Sequence, residues 1–340
     1  MAKVIETALS PEVRQKALDL HRKAIVVDSL LGSLGDPRGA IDAGLAAVHV
    51  TLATYTDDFR QAVRSIYNHY CAIDAMPDRM LLVTRVEDIQ RAKAEGKVGL
   101  ILGFQGATPI EDDLELLTIF HRLGIRVVGP TYMERNLLGD GCLEPANQGL
   151  TYFGIQFVRE MNRLGMLIDL SHAGYAVCED VLSYSSDPVA FTHSNSRTLC
   201  DVPRNVPDPI LKAVAAAGGF IGVSPYSAVV AKPDQGRPTL EAFLRHLDYM
   251  VHLVGAEHVG IGTDFFDGKG PVNYMAWSQR RYPDSLAFPF DQRHVEGFDS
   301  IGRWPRLTQA LLARGFSEEE ILGLLGGNFL RLLSRVWKRV

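Results

Sequence analysis

The feature that most constrains the fold of this chain is a series of eight short apolar runs, separated by segments with helical periodicity. The runs cover residues 24–29, 46–53, 98–104, 125–131, 165–171, 188–193, 219–224 and 259–264. Several intervening segments carry a one-sided apolar stripe and end in glycine, as helices often do before a strand: 112–124, 153–165 and 207–219. Continuous apolar strands that alternate with helices are typical of a parallel sheet buried on both faces. Eight such units predict an α/β fold of the closed (β/α)8, or TIM-barrel, type, with an open doubly wound sheet as the alternative.

The domain organisation follows from the absence of an evident linker. No segment rich in Pro, Gly or Ser divides the sequence, so residues 1–340 are expected to form one barrel domain. We expect an N-terminal helix before the first strand and further helices at the C-terminus, where Ser317 and Glu320 have the spacing of a capping box. The segment 267–298 is long, aromatic and rich in turn-forming residues, and it follows the last predicted strand. It is therefore expected to form a loop over the barrel mouth.

Composition and charge limit the classes of partner. With a net charge of −5 the chain has no basic footprint for nucleic acid, and no stretch approaches the roughly 18 apolar residues of a membrane span. The four cysteines lie far apart without a CxxC pair, and charges interrupt the N-terminal segment throughout, unlike a signal peptide. These features favour a reduced, cytoplasmic setting. We expect a protein that acts on a small molecule, with a homodimer as one possible assembly.

Polar residues at the strand ends indicate where the chemistry lies, because the active sites of (β/α)8 barrels are at the C-terminal ends of the strands. His172 ends the fifth predicted strand and His193 ends the sixth. Adjacent parallel strands lie about 4.8 Å apart, so two inward-pointing imidazoles at matching positions can share one metal ion. Two hydrogen-bonded structural histidines are the alternative, and the spacing alone does not separate the two interpretations.

Other strand ends offer groups for proton transfer and substrate binding. Asp264 ends the last run, where a carboxylate can bind a metal or move a proton to and from an attacking water. Tyr132 and Asn136 follow the fourth run and Gln105 follows the third, as candidate hydrogen-bonding groups of the pocket. Arg204 lies in a loop stiffened by prolines, where a guanidinium can clamp a substrate carboxylate. A solvated surface arginine is equally compatible with that loop sequence.

Four motifs occur in an order that resembles a known family: VGLILGFQGA, LIDLSHA, FTHSNS and GIGTDF. They resemble the renal (membrane) dipeptidase family, the M19 metallopeptidases, and the resemblance runs from about residue 24 to residue 332. It implies a (β/α)8 barrel of the amidohydrolase type that hydrolyses dipeptides at a two-zinc site. It also implies that His172 and His193 are ligands of one metal. Asp264 matches the family's proton-handling aspartate, and Arg204 matches the arginine that binds the substrate carboxylate.

The chain departs from the family pattern at the residues that bind the other metal in the family. The family's strand-one His-x-Asp pair falls on Leu30 and Gly32, the glutamate that bridges the metals falls on Gln105, and a strand-four histidine falls on Tyr132. The amide oxygen of glutamine is a weak neutral ligand, and leucine has no ligand atom. We therefore expect a metallohydrolase with one divalent metal, zinc before others, that cleaves an amide or peptide bond in a small carboxylate-bearing substrate.

Two further functions remain open at the level of sequence. The same barrel can carry a non-hydrolytic enzyme, such as an isomerase, lyase or decarboxylase, with Tyr132, Glu134 and Cys142 on the rim as additional groups. It can also be a non-catalytic small-molecule binding protein. Incorporation of oxygen from labelled water separates hydrolysis from the other reactions, and metal content separates the metalloenzyme from a binding protein.

Overall fold

The computed structural model describes residues 10–53, 56–267, 280–282 and 288–337. Nine strands lie within these residues: β1 (Val26–Leu31), β2 (Leu45–Thr51), β3 (Met80–Leu82), β4 (Val98–Phe104), β5 (Ile125–Val128), β6 (Leu167–Ile168), β7 (Ala190–Phe191), β8 (Phe220–Val223) and β9 (Val259–Ile261). The α-helices are α1 (Pro11–Lys23), α2 (Pro37–Asp42), α3 (Phe59–Ala75), α4 (Val86–Glu95), α5 (Glu115–Arg122), α6 (Tyr152–Leu164), α7 (Tyr175–Tyr184), α8 (Asp208–Ala216), α9 (Ser227–Val230), α10 (Leu240–Val254), α11 (Trp304–Ala313), α12 (Glu318–Leu322) and α13 (Asn328–Val336).

The strands pair in parallel in two sets that follow the order of the chain. One set runs β1–β2–β4–β5–β6, and the other runs β7–β8–β9. The additional strand β3 pairs with the first half of β4, on Val98 to Leu100, whereas β5 pairs with β4 only from Leu102 onward. Helices follow most of the strands, and strands such as β1 and β4 are buried at every residue, as the continuous apolar runs predict.

Backbone hydrogen bonds join the two sets into a closed barrel. Between β6 and β7, the Leu170 N–H donates to the Ala190 carbonyl at 2.7 Å. Between the end of β9 and β1, the Asp264 N–H donates to the Leu30 carbonyl at 2.9 Å and the Gly32 N–H donates to the Phe265 carbonyl at 2.8 Å. The closure confirms the predicted (β/α)8 barrel and excludes the open doubly wound sheet.

Each of the eight predicted runs overlaps a strand, but β1 ends two residues beyond its run and several other strands are shorter than their runs. The run 165–171 is reduced to the strand Leu167–Ile168, and beyond it the Ser171 N–H donates to the Asp169 carboxylate at 3.1 Å. The sequence did not predict β3, whose three residues are too few to show a periodicity.

Capping residues explain where the helices begin and end. At α6 the Thr151 hydroxyl accepts a hydrogen bond from Gly154 N–H, and the helix ends at Gly165 with φ 66°, a left-handed conformation that favours glycine. The predicted capping box at α12 is confirmed, since the Ser317 hydroxyl accepts from the Glu320 N–H and the Glu320 carboxylate accepts from the Ser317 N–H.

Small residues make room for polar groups inside the barrel. His49 on β2 is buried, and its Nδ1 donates to the Ser29 carbonyl at 2.7 Å. A Cβ atom on Gly103 of β4 would lie only 2.2 Å from His49 Nε2, so this ring fits only because its neighbour is glycine. The Ser29 hydroxyl lies within 2.7 Å of the Thr192 carbonyl and 2.8 Å of the Ile261 carbonyl, which links β1 to β7 and β9 across the interior.

The ends of the chain and the long segment after β9 are described only in part. Helix α1 packs on the barrel, where His21 Nδ1 lies 2.7 Å from the Thr308 hydroxyl of α11. Of the predicted loop 267–298, residues 268–279 and 283–287 lie outside the described residues, so its position over the mouth stays a prediction. The single-domain organisation likewise stays a prediction. No helix in the described ranges is long and apolar enough to cross a membrane.

Candidate active site

The structure brings His172 and His193 together at the C-terminal ends of β6 and β7. Their Nε2 atoms are 3.0 Å apart, and the ring centroids are separated by 5.0 Å with an interplanar angle of 58°. Both side chains are buried. Burial, followed by the positive charge of Arg204, lowers the pKa of each imidazole well below its usual value. Both rings are therefore neutral at physiological pH, the form in which an imidazole binds a metal.

A polar cluster behind His193 was not predicted from the sequence. The His193 Nδ1 lies 2.8 Å from the Thr192 hydroxyl, which donates to Asp169 Oδ2 at 2.6 Å. Asp169 also accepts the Ser171 hydroxyl at 2.5 Å. The signal was present in IDLSH and FTH, because a carboxylate and two hydroxyls at the ends of buried strands all need hydrogen-bonding partners.

Arg204 lies against the histidine pair and is not a solvated loop residue. The side chain is buried, with Nη1 donating to the Ser194 hydroxyl at 2.9 Å and Nη2 donating to the His193 carbonyl at 2.9 Å. Its Nη2 also lies 3.4 Å from His172 Nε2. The guanidinium is thus a fixed cation next to the imidazoles, in a position that suits an anionic group of a bound molecule.

The predicted rim residues differ in their hydrogen bonds and ring contacts. Tyr132 is partly exposed and stacks on the His172 ring, with centroids 4.1 Å apart and an interplanar angle of 26°. Gln105 is partly exposed directly after β4. The Asn136 amide holds its own loop together, since it donates to the Pro130 carbonyl at 2.8 Å and accepts from the Leu138 N–H at 2.8 Å. The Asn136 amide thus bonds to its own loop and the Tyr132 ring contacts His172, and substrate binding by either residue stays a prediction.

Asp264 lies beyond the end of β9 with φ 53°, a left-handed conformation that is uncommon for aspartate. Burial of the carboxyl raises its pKa to about 6. The positive charges of Arg204 and Arg293 act in the opposite direction and limit this rise in the pKa. The Arg293 guanidinium is stacked against Phe266 and Phe290, 4.4 Å and 3.7 Å from their ring centroids. Arg293 lies inside the predicted loop segment, where nothing in the sequence distinguished it.

The residues at the end of β1 do not fit a second metal. Leu30 is fully buried and has no ligand atom. A Cβ atom on Gly32 would lie 2.8 Å from the Phe266 ring, so an aromatic side chain fills the space of a ligand there. Gln105 is neutral and contributes no negative charge to a second metal site.

The histidine pair fits one ion. Two nitrogens that are each about 2 Å from the same ion lie roughly 3 Å apart, close to the Nε2–Nε2 distance of His172 and His193. Among the described residues, no group of three His, Cys, Asp or Glu side chains is placed to hold a metal. The remaining coordination positions would therefore fall to water or substrate.

Cys142 is not an activated nucleophile. Its N–H donates to the His172 carbonyl at 2.9 Å and its Sγ lies 3.6 Å from the Met133 sulfur. Burial raises the pKa of the thiol to about 11, although the Arg204 charge acts in the opposite direction. The thiolate, which is the reactive form, is therefore scarce at neutral pH.

The closed parallel barrel, with an imidazole pair, a buried guanidinium and an aspartate at its C-terminal strand ends, defines a barrel of the amidohydrolase type. A family model described as membrane dipeptidase, peptidase family M19, matches residues 37–284 and 285–339. The chain belongs to this family. Membership confirms the resemblance found in the sequence. It also confirms the predicted class of enzyme, a metal-dependent hydrolase.

Individual relatives agree with this assignment. The chain is 30% identical over 304 residues to dipeptidase tcpJ of Claviceps purpurea, in a match covering 88% of this chain and 64% of that protein. It is 30% identical over 331 residues to dipeptidase aclJ of Aspergillus oryzae, covering 91% of this chain and 71% of that protein. The chain thus spans about two thirds of the length of these relatives. A crystal structure of an amidohydrolase from Pseudomonas aeruginosa superposes with a TM-score of 0.87 at 32% identity, covering 94% of this chain and 99% of that one.

Proposed function

We propose that this protein hydrolyses an amide or peptide bond in a small substrate that carries a carboxylate, with one divalent ion bound by His172 and His193. The observation that carries the proposal is the convergence of the two Nε2 atoms to 3.0 Å beside a buried arginine. Zinc is the first ion to test, because neutral imidazoles are among its preferred ligands. When bound, such an ion supplies Lewis-acid polarisation of a carbonyl group and lowers the pKa of water.

Arg204 supplies the binding of the substrate carboxylate. Two of its N–H groups are already used on the Ser194 hydroxyl and the His193 carbonyl, and these bonds fix the plane of the guanidinium. A guanidinium has five N–H groups, so others remain for a ligand anion. Holding the carboxylate there places the neighbouring amide bond beside the histidine pair. The shortest peptides carry their carboxylate within one residue of the scissile bond, which is why dipeptides are the substrate class to test first.

Asp264 supplies the proton transfers. A pKa of about 6 leaves most of the carboxyl ionised at neutral pH but close enough to neutrality to exchange protons. In hydrolysis, Asp264 takes the proton of the attacking water and returns it to the leaving amine. Tyr132, which stacks on His172, forms part of the wall against which the substrate lies.

Relatives support dipeptides as test substrates. The two fungal relatives described above are named dipeptidases, and each is 30% identical to this chain. A cytoplasmic location and a homodimer stay predictions from the sequence; all four cysteines are free thiols, as a reduced compartment requires.

Metal content and product analysis test the proposal together. Protein purified without chelator should contain about one equivalent of a divalent ion and hydrolyse members of a dipeptide panel, with one oxygen from labelled water in the product. His193→Ala should lose both metal and activity. His252→Ala is the matched control, because His252 is exposed on α10 and bonds only to its own helix through the Asp248 carbonyl.

Two results would contradict the proposal. Wild-type protein that holds no divalent ion and takes none up on titration would exclude the metal site. Turnover of a substrate without incorporation of labelled oxygen would favour the non-hydrolytic enzyme.

A further inference from the structure

We infer that Tyr175 is a positioning residue for Arg204. Its hydroxyl ties the loop of Arg204 to the segment that carries His172, and it thereby sets the distance between the substrate carboxylate and the scissile bond. Tyr175 begins α7, three residues after His172, whereas Arg204 lies in the loop between β7 and α8. The tie itself is a matter of hydrogen-bond geometry, and its consequence for substrate choice rests on the proposed function.

The Tyr175 hydroxyl contacts the backbone on both sides of Arg204. Its oxygen lies 2.9 Å from the Asn205 carbonyl oxygen and 3.2 Å from the Pro203 carbonyl oxygen. A phenol has one proton, so the O–H donates to the nearer carbonyl, that of Asn205, with the Pro203 carbonyl as the second acceptor of a three-centre bond. One side chain thus holds the residues directly before and directly after Arg204.

Arg197 holds the phenol in this position. Its Nη1 donates to the Tyr175 hydroxyl oxygen at 2.8 Å, and its guanidinium carbon lies 5.5 Å from the centroid of the Tyr175 ring. Its Nε donates to the Asp201 carboxylate at 2.6 Å, within the same loop. A hydroxyl that accepts a hydrogen bond from a cation is polarised, and this strengthens the bond that its own O–H donates.

Other bonds hold the downstream end of the loop. The Asn205 side-chain amide donates to the Cys200 carbonyl at 2.8 Å and to the Val229 carbonyl of α9 at 2.9 Å. The Val206 N–H donates to the Asn195 carbonyl at 2.9 Å. The Tyr175 hydroxyl adds a tie to the start of α7, and therefore to the segment that follows His172.

A fixed distance between Arg204 and His172 selects substrates by length. In the proposed reaction Arg204 binds the carboxylate, while the scissile amide lies beside His172 and His193. The bonds from the guanidinium to Ser194 and to the His193 carbonyl orient the end of the side chain, but the loop determines where its backbone lies. A misplacement of about 1 Å in an active site can cost about 100-fold in rate. The tie therefore favours α-dipeptides, in which one carbon separates the carboxylate from the amide nitrogen, over peptides with an additional methylene group.

Two peptides that differ by this methylene test the inference in protein purified without chelator. The quantity to measure is kcat/KM for alanyl-glycine divided by kcat/KM for alanyl-β-alanine. Tyr175→Phe removes only the hydroxyl, and this ratio should fall about 3- to 10-fold. Tyr184→Phe is the matched control, because Tyr184 is exposed at the other end of α7, and it should leave the ratio within about twofold of wild type. An unchanged ratio in Tyr175→Phe would overturn the inference, as would an equal loss for both peptides, which is what a general structural defect produces.

A second variant keeps the Tyr175 ring and hydroxyl in place. Arg197→Gln removes the cation that donates to the hydroxyl, so it should lower the same ratio by a smaller factor than Tyr175→Phe. This variant decides the question if Tyr175→Phe does not fold. A ratio equal to or above that of wild type in Arg197→Gln would then count against the inference.

Amide hydrogen exchange tests the tie without any turnover. In Tyr175→Phe, exchange within residues 201–206 should be at least about threefold faster than in wild type, while exchange in α10 should not change. Unchanged exchange in 201–206 would overturn the inference even if both peptides are hydrolysed. Faster exchange in this segment, combined with a wild-type protein that hydrolyses neither peptide, would contradict the proposed function alone and would support the role of Tyr175 in holding the loop.

Discussion

The stability of the Asp28→Asn variant, relative to that of wild type, should increase as the pH rises. Asp28 is fully buried at the seam where β1 meets the end of β9. Its Oδ1 accepts the Thr263 N–H at 2.9 Å and the Leu30 N–H at 3.2 Å, and its Oδ2 accepts the Thr263 hydroxyl. Burial nevertheless raises the pKa of the carboxyl to about 8, assisted by the charge of Asp264 and opposed by these three hydrogen bonds.

The magnitude follows from linkage. An ordinary aspartate has a pKa of about 3.9, and each unit of difference between folded and unfolded chain corresponds to about 1.4 kcal/mol. Because the folded pKa of Asp28 is the higher one, the folded state binds more protons between pH 4 and 8, and stability falls as the pH rises through that window. Between pH 5 and 8 the expected loss is about 4 kcal/mol. Asparagine remains neutral, so Asp28→Asn should avoid this loss.

Urea unfolding at half-unit steps from pH 5 to 8.5 measures the effect. The unfolding free energy of Asp28→Asn minus that of wild type should rise by several kcal/mol across the series. Asp234→Asn serves as the control, because Asp234 is exposed and this variant leaves Asp28 in place, so the loss of stability attributed to Asp28 should remain. If the Asp28→Asn curve runs parallel to that of wild type, Asp28 ionises in the folded protein as it does in water, and burial does not control its charge.

Three further predictions concern the site. Asp264 must be ionised to accept a proton and its pKa is about 6, so kcat/KM should rise with pH through about 6. Asp264→Asn should abolish the activity. A wild-type kcat/KM that falls as the pH rises through 6 would contradict the assignment of Asp264 as the base. Arg204→Gln should raise KM about 10- to 100-fold for substrates with a free carboxylate and leave amidated analogues nearly unchanged, which steady-state kinetics on the two series will show. Iodoacetamide at pH 7.5 should label exposed Cys71 and spare Cys142, whose thiol pKa is raised to about 11, so modified protein should keep full activity.

The barrel could be predicted because its signal is carried by many residues at once. Strands buried on both faces must be apolar throughout, and each predicted run from 24–29 to 259–264 overlaps a strand. The exact strand ends could not be predicted. After Leu167–Ile168, the N–H groups of Ser171 and Thr192 bond to the Asp169 carboxylate instead of a backbone carbonyl, and this exchange depends on residues of two successive units.

The site was predictable only where strand position fixes a side chain. His172 and His193 occupy matching positions on neighbouring strands, and the barrel alone brings their rings together. Arg204 lies in a loop, and only the structure shows that its guanidinium is buried against those rings. Asn136 illustrates the opposite case, because its amide is used by the backbone of its own loop, and residue type alone cannot distinguish a loop clamp from a ligand-binding group.

We expect packing as well as ligand identity to prevent a second metal ion from binding, and Gln105→Glu tests this. The variant restores one negative charge at the end of β4, but Leu30 is still buried and the Phe266 ring still occupies the space beside Gly32. Even Gly32→Asp would place its Cβ 2.8 Å from that ring, so the ligand could enter only if Phe266 moved, and Phe266 also stacks on the Arg293 guanidinium. Elemental analysis of Gln105→Glu should therefore find no more than about one divalent ion per chain, as in wild type. Two equivalents in this single variant would show that the space beside Gly32 is not needed for a second ion, and the packing explanation would have to be abandoned.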